Sequence, residues 1–165
     1  MTQEKSTQIQ NLEAQPPIGI PTTDWKGVKR IMRFTFTQGP NNGPAGSTME
    51  LVRLPAGNVR ILAAECLITH DLFGAGRELD IGLRAYSQPD GTAIPEDADA
   101  LVNGINVAAA GTQFWTADPL GVALDQPDDS GLIRSKSGVS VFATVLNNTI
   151  PAGTKLTGYV TYVQD

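Results

Sequence analysis

The chain changes texture at Val28. From there to Thr37, Ile31, Arg33, Thr35 and Thr37 alternate with Met32, Phe34 and Phe36 in a β-branched and aromatic run, the pattern of a half-buried strand. A loop rich in Gly, Pro and Asn, residues 38–46, separates it from a second strand over 47–54. There Met49 and Leu51 are expected to face the core, with Val52 a further candidate. Beyond the turn Pro55-Ala56-Gly57, residues 58–70 read as one long, largely apolar strand. After the bend Gly74-Ala75-Gly76, residues 77–87 read as another, with Leu79, Ile81, Leu83 and Ala85 alternating against Asp80, Gly82, Arg84 and Tyr86.

Pro89-Asp90-Gly91 is a turn, because Pro presets one turn dihedral and Gly tolerates positive φ. The pattern then predicts the one short helix of the chain, over 98–102, capped by Asp97 or its neighbour and ended by Asn103-Gly104. Short strands are expected at 113–116, 121–124 and 132–136. The regular alternation of Val139, Val141, Ala143 and Val145, and of Leu156, Gly158, Val160 and Tyr162, marks two longer ones at 139–146 and 155–163. Eight or nine strands punctuated by 17 Gly and 11 Pro point to an all-β antiparallel sandwich. A jelly roll is favoured by the long central insertion between strong strands, with an immunoglobulin-like Greek key as the alternative.

Residues 1–27 have a different character. Pro16, Pro17 and Pro21 hold the middle of this stretch extended and remove backbone donors, so neither a long helix nor a central strand runs through it. The segment reads as an extended N-terminal arm ahead of a sandwich domain spanning 28–165. Its isolated apolar residues Ile9, Leu12, Ile18, Ile20 and Trp25 have no periodic partner, so it is either a loose tail or a strap whose apolar side chains dock on another subunit.

Composition narrows the chemistry. With 165 residues and 41% apolar side chains the chain builds one core, hiding roughly 70% of the surface its unfolded form exposes. Cys66 and His70 are the sole cysteine and histidine, which excludes an intramolecular disulfide and a Cys-based zinc site and leaves little for Cys-His or Ser-His-Asp catalysis. No cofactor is expected. A net charge of −5 and pI near 4.8 do not suit direct nucleic-acid binding. No stretch approaches a membrane span and the first ten residues are polar, so the expectation is synthesis in the cytoplasm with no membrane partner.

Charge is also unevenly spread. Residues 26–84 carry eight bases and five acids, whereas 85–133 carry eight acids and no base. Such segments are complementary between copies and favour head-to-tail or ring association, although solvated acidic loops are the blander reading. Glu96, Asp97 and Asp99, or Asp125, Asp128 and Asp129, are oxygen donors of the kind Ca²⁺ uses, but neither set has EF-hand spacing. A helix cap and a turn explain them as well. His70-Asp71 has the makings of a base and its orienting carboxylate, without any G-x-S-x-G nucleophile motif; its plainer reading is the polar end of a strand. Trp25 and Trp115 either stack on sugars or anchor a core or interface.

The segments LVRLPAGNVRIL (51–62) and FGAGRELDIGLRAYSQPDGTAIPEDADALVNGINVAAAG (73–111) resemble structural proteins of tailed-bacteriophage virions, above all capsid decoration (cement) proteins. The resemblance implies a non-enzymatic sandwich that sits on the outer capsid surface of the virion as a homotrimer, contacting the major capsid protein and bridging capsomers. Two other classes stay open: a head-fibre or tail module with a carbohydrate-binding sandwich, and a small hydrolase of sandwich fold with clustered carboxylates in a cleft.

Overall fold

The computed structural model describes residues 28–115, 132–146 and 149–164. The arm 1–27, with Ile9, Leu12, Ile18, Ile20 and Trp25, lies outside the described residues, as do the expected strand 121–124 and the acids Asp125, Asp128 and Asp129.

Among the described residues are twelve strands, ten of them in two main antiparallel sheets. In chain order they are β1 (Val28–Thr37), β2 (Thr48–Leu54), β3 (Gly57–Ile61), β4 (Leu67–His70), β5 (Glu78–Leu83), β6 (Tyr86–Ser87), β7 (Ala93–Ile94), β8 (Asp97–Asn106), β9 (Gly111–Phe114), β10 (Leu132–Ser135), β11 (Val139–Leu146) and β12 (Lys155–Gln164). One sheet is organised around β12. Its one edge pairs with β1 over ten residues without a register shift; its other edge pairs with β3 at one end and β4 at the other. Outside these, β10 pairs β3 and β9 pairs β4. The second sheet has the order β2-β11-β5-β8, and β6 and β7 form a small hairpin of their own. Counting β3 with β4 and β9 with β10 as single interrupted positions, each sheet is four strands wide. The chain visits the eight positions in the order 1-8-3-6 across one sheet and 2-7-4-5 across the other. That path is the two-Greek-key jelly roll.

The apolar alternation places the core where the sequence locates it. Met49, Leu54, Ile68, Leu79, Ile81, Ile133, Val141 and Leu156 are almost wholly buried between the sheets, each contributing roughly 1.5–3 kcal/mol. Trp115, 1% exposed, closes the core where β9 ends. Its backbone N–H donates to the Cys66 carbonyl at 3.0 Å.

Three expectations are corrected. Residues 58–70 are not one strand: Ala63–Glu65 form a 3-10 turn, the sole helical element among the described residues. The turn rises between β3 and β4 and is fixed by Thr161, whose hydroxyl donates to the Glu65 carbonyl at 2.9 Å and whose carbonyl accepts the Leu62 N–H. The strand expected over 77–87 ends at Leu83, after which Tyr86 is buried and Ala85 exposed, so the alternation changes phase. The helix expected over 98–102 is the strand β8. Opposite Gly82, β8 runs through four residues, Ala98 to Leu101, between the pairs Leu83–Asp97 and Ile81–Val102. Opposite Asp80 it runs through two, Asn103 and Gly104. These bulges scramble the period of two, and the Asp, Ala and Asn-Gly they require are the residues that also start and stop helices. Gly104 takes φ +75°, which explains the glycine.

Gly158 and Gly82 mark the closest backbone approaches. A Cβ on Gly158 would lie 2.1 Å from the Leu67 carbonyl oxygen and 2.7 Å from the Phe34 ring, whereas one on Gly39 would meet nothing within 4 Å. Gly158→Ala is therefore expected to lower unfolding free energy in urea by about 1–3 kcal/mol or more, and Gly39→Ala to stay within about 0.5 kcal/mol of wild type.

Candidate interaction surfaces

Strand register puts two regular rows on the outer face of the β12 sheet. Thr35, Thr157, Thr69 and Thr112 stand side by side across β1, β12, β4 and β9, with the hydroxyls of Thr69 and Thr112 2.9 Å apart. The next row is Arg33, Tyr159, Leu67 and Phe114. Phe114 is 56% exposed and Ile31, on the same face of β1, is 60% exposed. This face offers hydroxyl and apolar contact.

The two flanks of the sandwich differ in charge. β1 lies beside β2, and together they carry the bases Lys29, Arg30, Arg33 and Arg53 against one acid, Glu50, which accepts from the Ser140 hydroxyl. At the opposite end of the second sheet stand β8 and its neighbour β5, with Asp97, Asp99 and Glu78. Part of this charge is neutralised within the chain: Lys29 Nζ donates to Glu65 at 2.6 Å and Arg84 to Glu96 at 2.9 Å, both near the surface. Arg84 also lies 4.1 Å from the centroid of the buried Phe142 ring and donates to the Thr48 hydroxyl, tying β2, β11 and the start of β8 together.

The candidate catalytic and metal groups are dispersed. His70 is buried, but its Nδ1 donates to the Asp71 backbone carbonyl at 3.1 Å; the Asp71 carboxylate instead accepts the Lys155 N–H at 2.8 Å. The His-Asp dyad is not formed. A hollow of about 380 Å³ beside His70 is otherwise lined by Asn106, Ala108 to Ala110, Gly111, Thr112 and Gln113, and none of these described residues is a carboxylate or a thiol. Asp97 accepts the Asp99 N–H, Asp99 accepts from the Asn103 amide, and Glu96 is held by Arg84. No metal-binding cluster of three forms among the described residues. Trp115 is core and offers no sugar platform. Burial pushes the Cys66 thiol up to about 12, so it stays protonated.

With the geometry in hand, comparison with known proteins adds one observation. The chain shares its fold with a chain of the cyanophage Pam1 capsid asymmetric unit. The TM-score is 0.53 at 15% identity, and the match covers 90% of this chain and 93% of that one. Looser likenesses are found to infectious bursal disease virus, Gx strain (TM-score 0.45, 12% identity, 82% of this chain and 32% of that one), and to that virus's VP2 subviral particle (0.42, 14%, 82% and 33%). No protein-family model and no curated protein sequence matches the chain.

Sequence reasoning missed one buried group. Asp80, 6% exposed, accepts the Gly104 N–H at 2.8 Å across the β8 bulge. Burial raises its pKa above the ordinary 3.8, the Gly104 bond opposes this, and Asp99 and Glu78 add to the rise. A carboxyl with a raised folded pKa favours the fold below its unfolded pKa, and that contribution is lost as pH rises through the folded value. Asp80→Asn keeps an acceptor for Gly104, so the variant is expected to be at least as stable as wild type at pH 7. The advantage should shrink as pH falls toward 3.8, as read from denaturant midpoints across that range.

Proposed function

We propose that the chain is a non-enzymatic structural subunit of a virion. It decorates and stabilises a bacteriophage capsid from the outer surface, as a homotrimer that bridges capsomers through contacts with the major capsid protein. The observation that carries this reading is the end-to-end correspondence of its jelly roll with a chain of the Pam1 capsid asymmetric unit, over nine-tenths of both. Three further features support it. The charged and polar groups considered for catalysis are engaged in separate structural bonds, His70 with the Asp71 carbonyl, the Asp71 carboxylate with the Lys155 N–H, and Glu96 with Arg84. The described surfaces include broad sheet faces and an unpaired edge, which suit contact with another protein. The arm 1–27 supplies apolar side chains, Ile9, Leu12, Ile18, Ile20 and Trp25, for burial on a neighbouring subunit.

Docking the arm makes physical sense around 16–25. There the prolines have already restricted the free chain, so less of the roughly 1–2 kcal/mol per residue of ordering entropy opposes burial. Purified full-length chain is expected to bind shells that lack it, at saturating stoichiometry. Deleting residues 1–24 is expected to leave a folded sandwich that binds those shells more weakly. Equal occupancy by both forms would reduce the arm to a tail, and failure of the full-length chain to bind any shell of its own virus would remove the decoration reading.

A further inference from the structure

We propose that copies of this chain associate head to tail, with the basic edge strand β1 of one copy set against the acidic β8 edge of the next. The inference deepens the reading above by naming the surfaces, and it rests on the self-association in that reading rather than on capsid binding.

β1 is an edge strand of unusual regularity. It is ten residues long and pairs with β12 without a shift. Among the described residues no strand pairs its other edge. Such an edge is a template for further contact unless it is covered or blunted. It exposes Val28 and Ile31 at 62% and 60%, and beside them Arg30 and Arg33, which form no ion pair among the described residues. Two β1 strands from different copies make poor partners, because a twofold pairing brings the same bases together. The complementary surface is at the far end of the other sheet, where Asp99 on β8 and Glu78 on the neighbouring β5 are exposed, β8 itself carries no base, and the bases flanking β5 are engaged, Arg77 with the Phe73 carbonyl and Arg84 with Glu96.

The bulges of β8 twist its edge and break its run of regular backbone groups. The contact is therefore one of side chains and charge with apolar burial of Val28 and Ile31, not a continuous β ladder. Because the two surfaces are different and sit at opposite flanks, the contact is heterologous, and repetition closes a ring when the rotation between copies allows it. The trimer of the proposed function is the ring of this kind with three copies.

The test is a charge swap in the full chain, read as native mass over a concentration series. Wild type should be oligomeric at about 0.1 M salt and weaken at about 1 M, where the screening length falls from roughly 10 Å to roughly 3 Å. Arg30→Glu with Arg33→Glu should raise the dissociation constant at least about tenfold, and so should Glu78→Arg with Asp99→Arg. Combining all four substitutions in one chain should restore association, which also shows that the variants fold. A wild-type monomer, or a fourfold variant that stays dissociated, would overturn the proposal. So would dissociation by the β1 pair alone, which would mean that the arm or another protein covers β1. Loss of shell binding with the oligomer intact would count against the decoration role and leave this contact standing.

Discussion

Everything in the fold hangs on β12. Paired with β1 along its whole length on one edge and with β4 and β3 at the two ends of the other, it joins β1 to β3 and β4, and through them to β9 and β10. That joint brings the two ends of the described chain into one sheet, so the first and last strands stabilise each other only once the whole path has been traced. It leaves no room for a side chain at Gly158, where β4 and the Phe34 ring come within contact of the backbone. The cost is an interrupted neighbour: β3 and β4 keep to the same edge only by raising the 3-10 turn Ala63–Glu65 between them, which Thr161 of β12 then fastens.

What the sequence reveals and what it hides follow from the same geometry. Strands with one face in the core and one outside, β1, β11 and β12, are legible as a period of two. The alternation within each of these strands was legible, whereas the rows of outward Thr across the sheet follow from the pairing register. β5 and β8 are not legible in that way. β8 folds extra residues over Gly82 and Asp80, burying both faces of β5, and its own residues then obey no simple period. Asp97, the alanines and Asn103-Gly104 look like a capped helix because bulges and helix ends call for the same small, polar and left-handed residues. Tertiary pairing with β5 decides between them.

Functional signals in the sequence divide in the same fashion. His70 beside Asp71 suggested a dyad, yet in a strand successive side chains leave on opposite faces, so His70 turns into the core while the Asp71 carboxylate caps Lys155. Trp115, a candidate sugar platform, proves to be a core anchor. The uneven charge was legible, but its meaning was not, since only the strand order shows that Arg30 and Arg33 of β1 and Asp99 of β8 stand on opposite flanks. Asp80 left no signal, because its burial depends on a bulge in a distant strand.

Cryo-electron microscopy of the assembled particle is the most direct test of the central claim, that this jelly roll is an outer-shell subunit. The account predicts density for the two-sheet sandwich on the outside of the shell, clustered about local threefold axes, with the chain preceding Val28 running onto a neighbouring subunit. A particle lacking that density, or carrying it as isolated copies on the inner face, would contradict it.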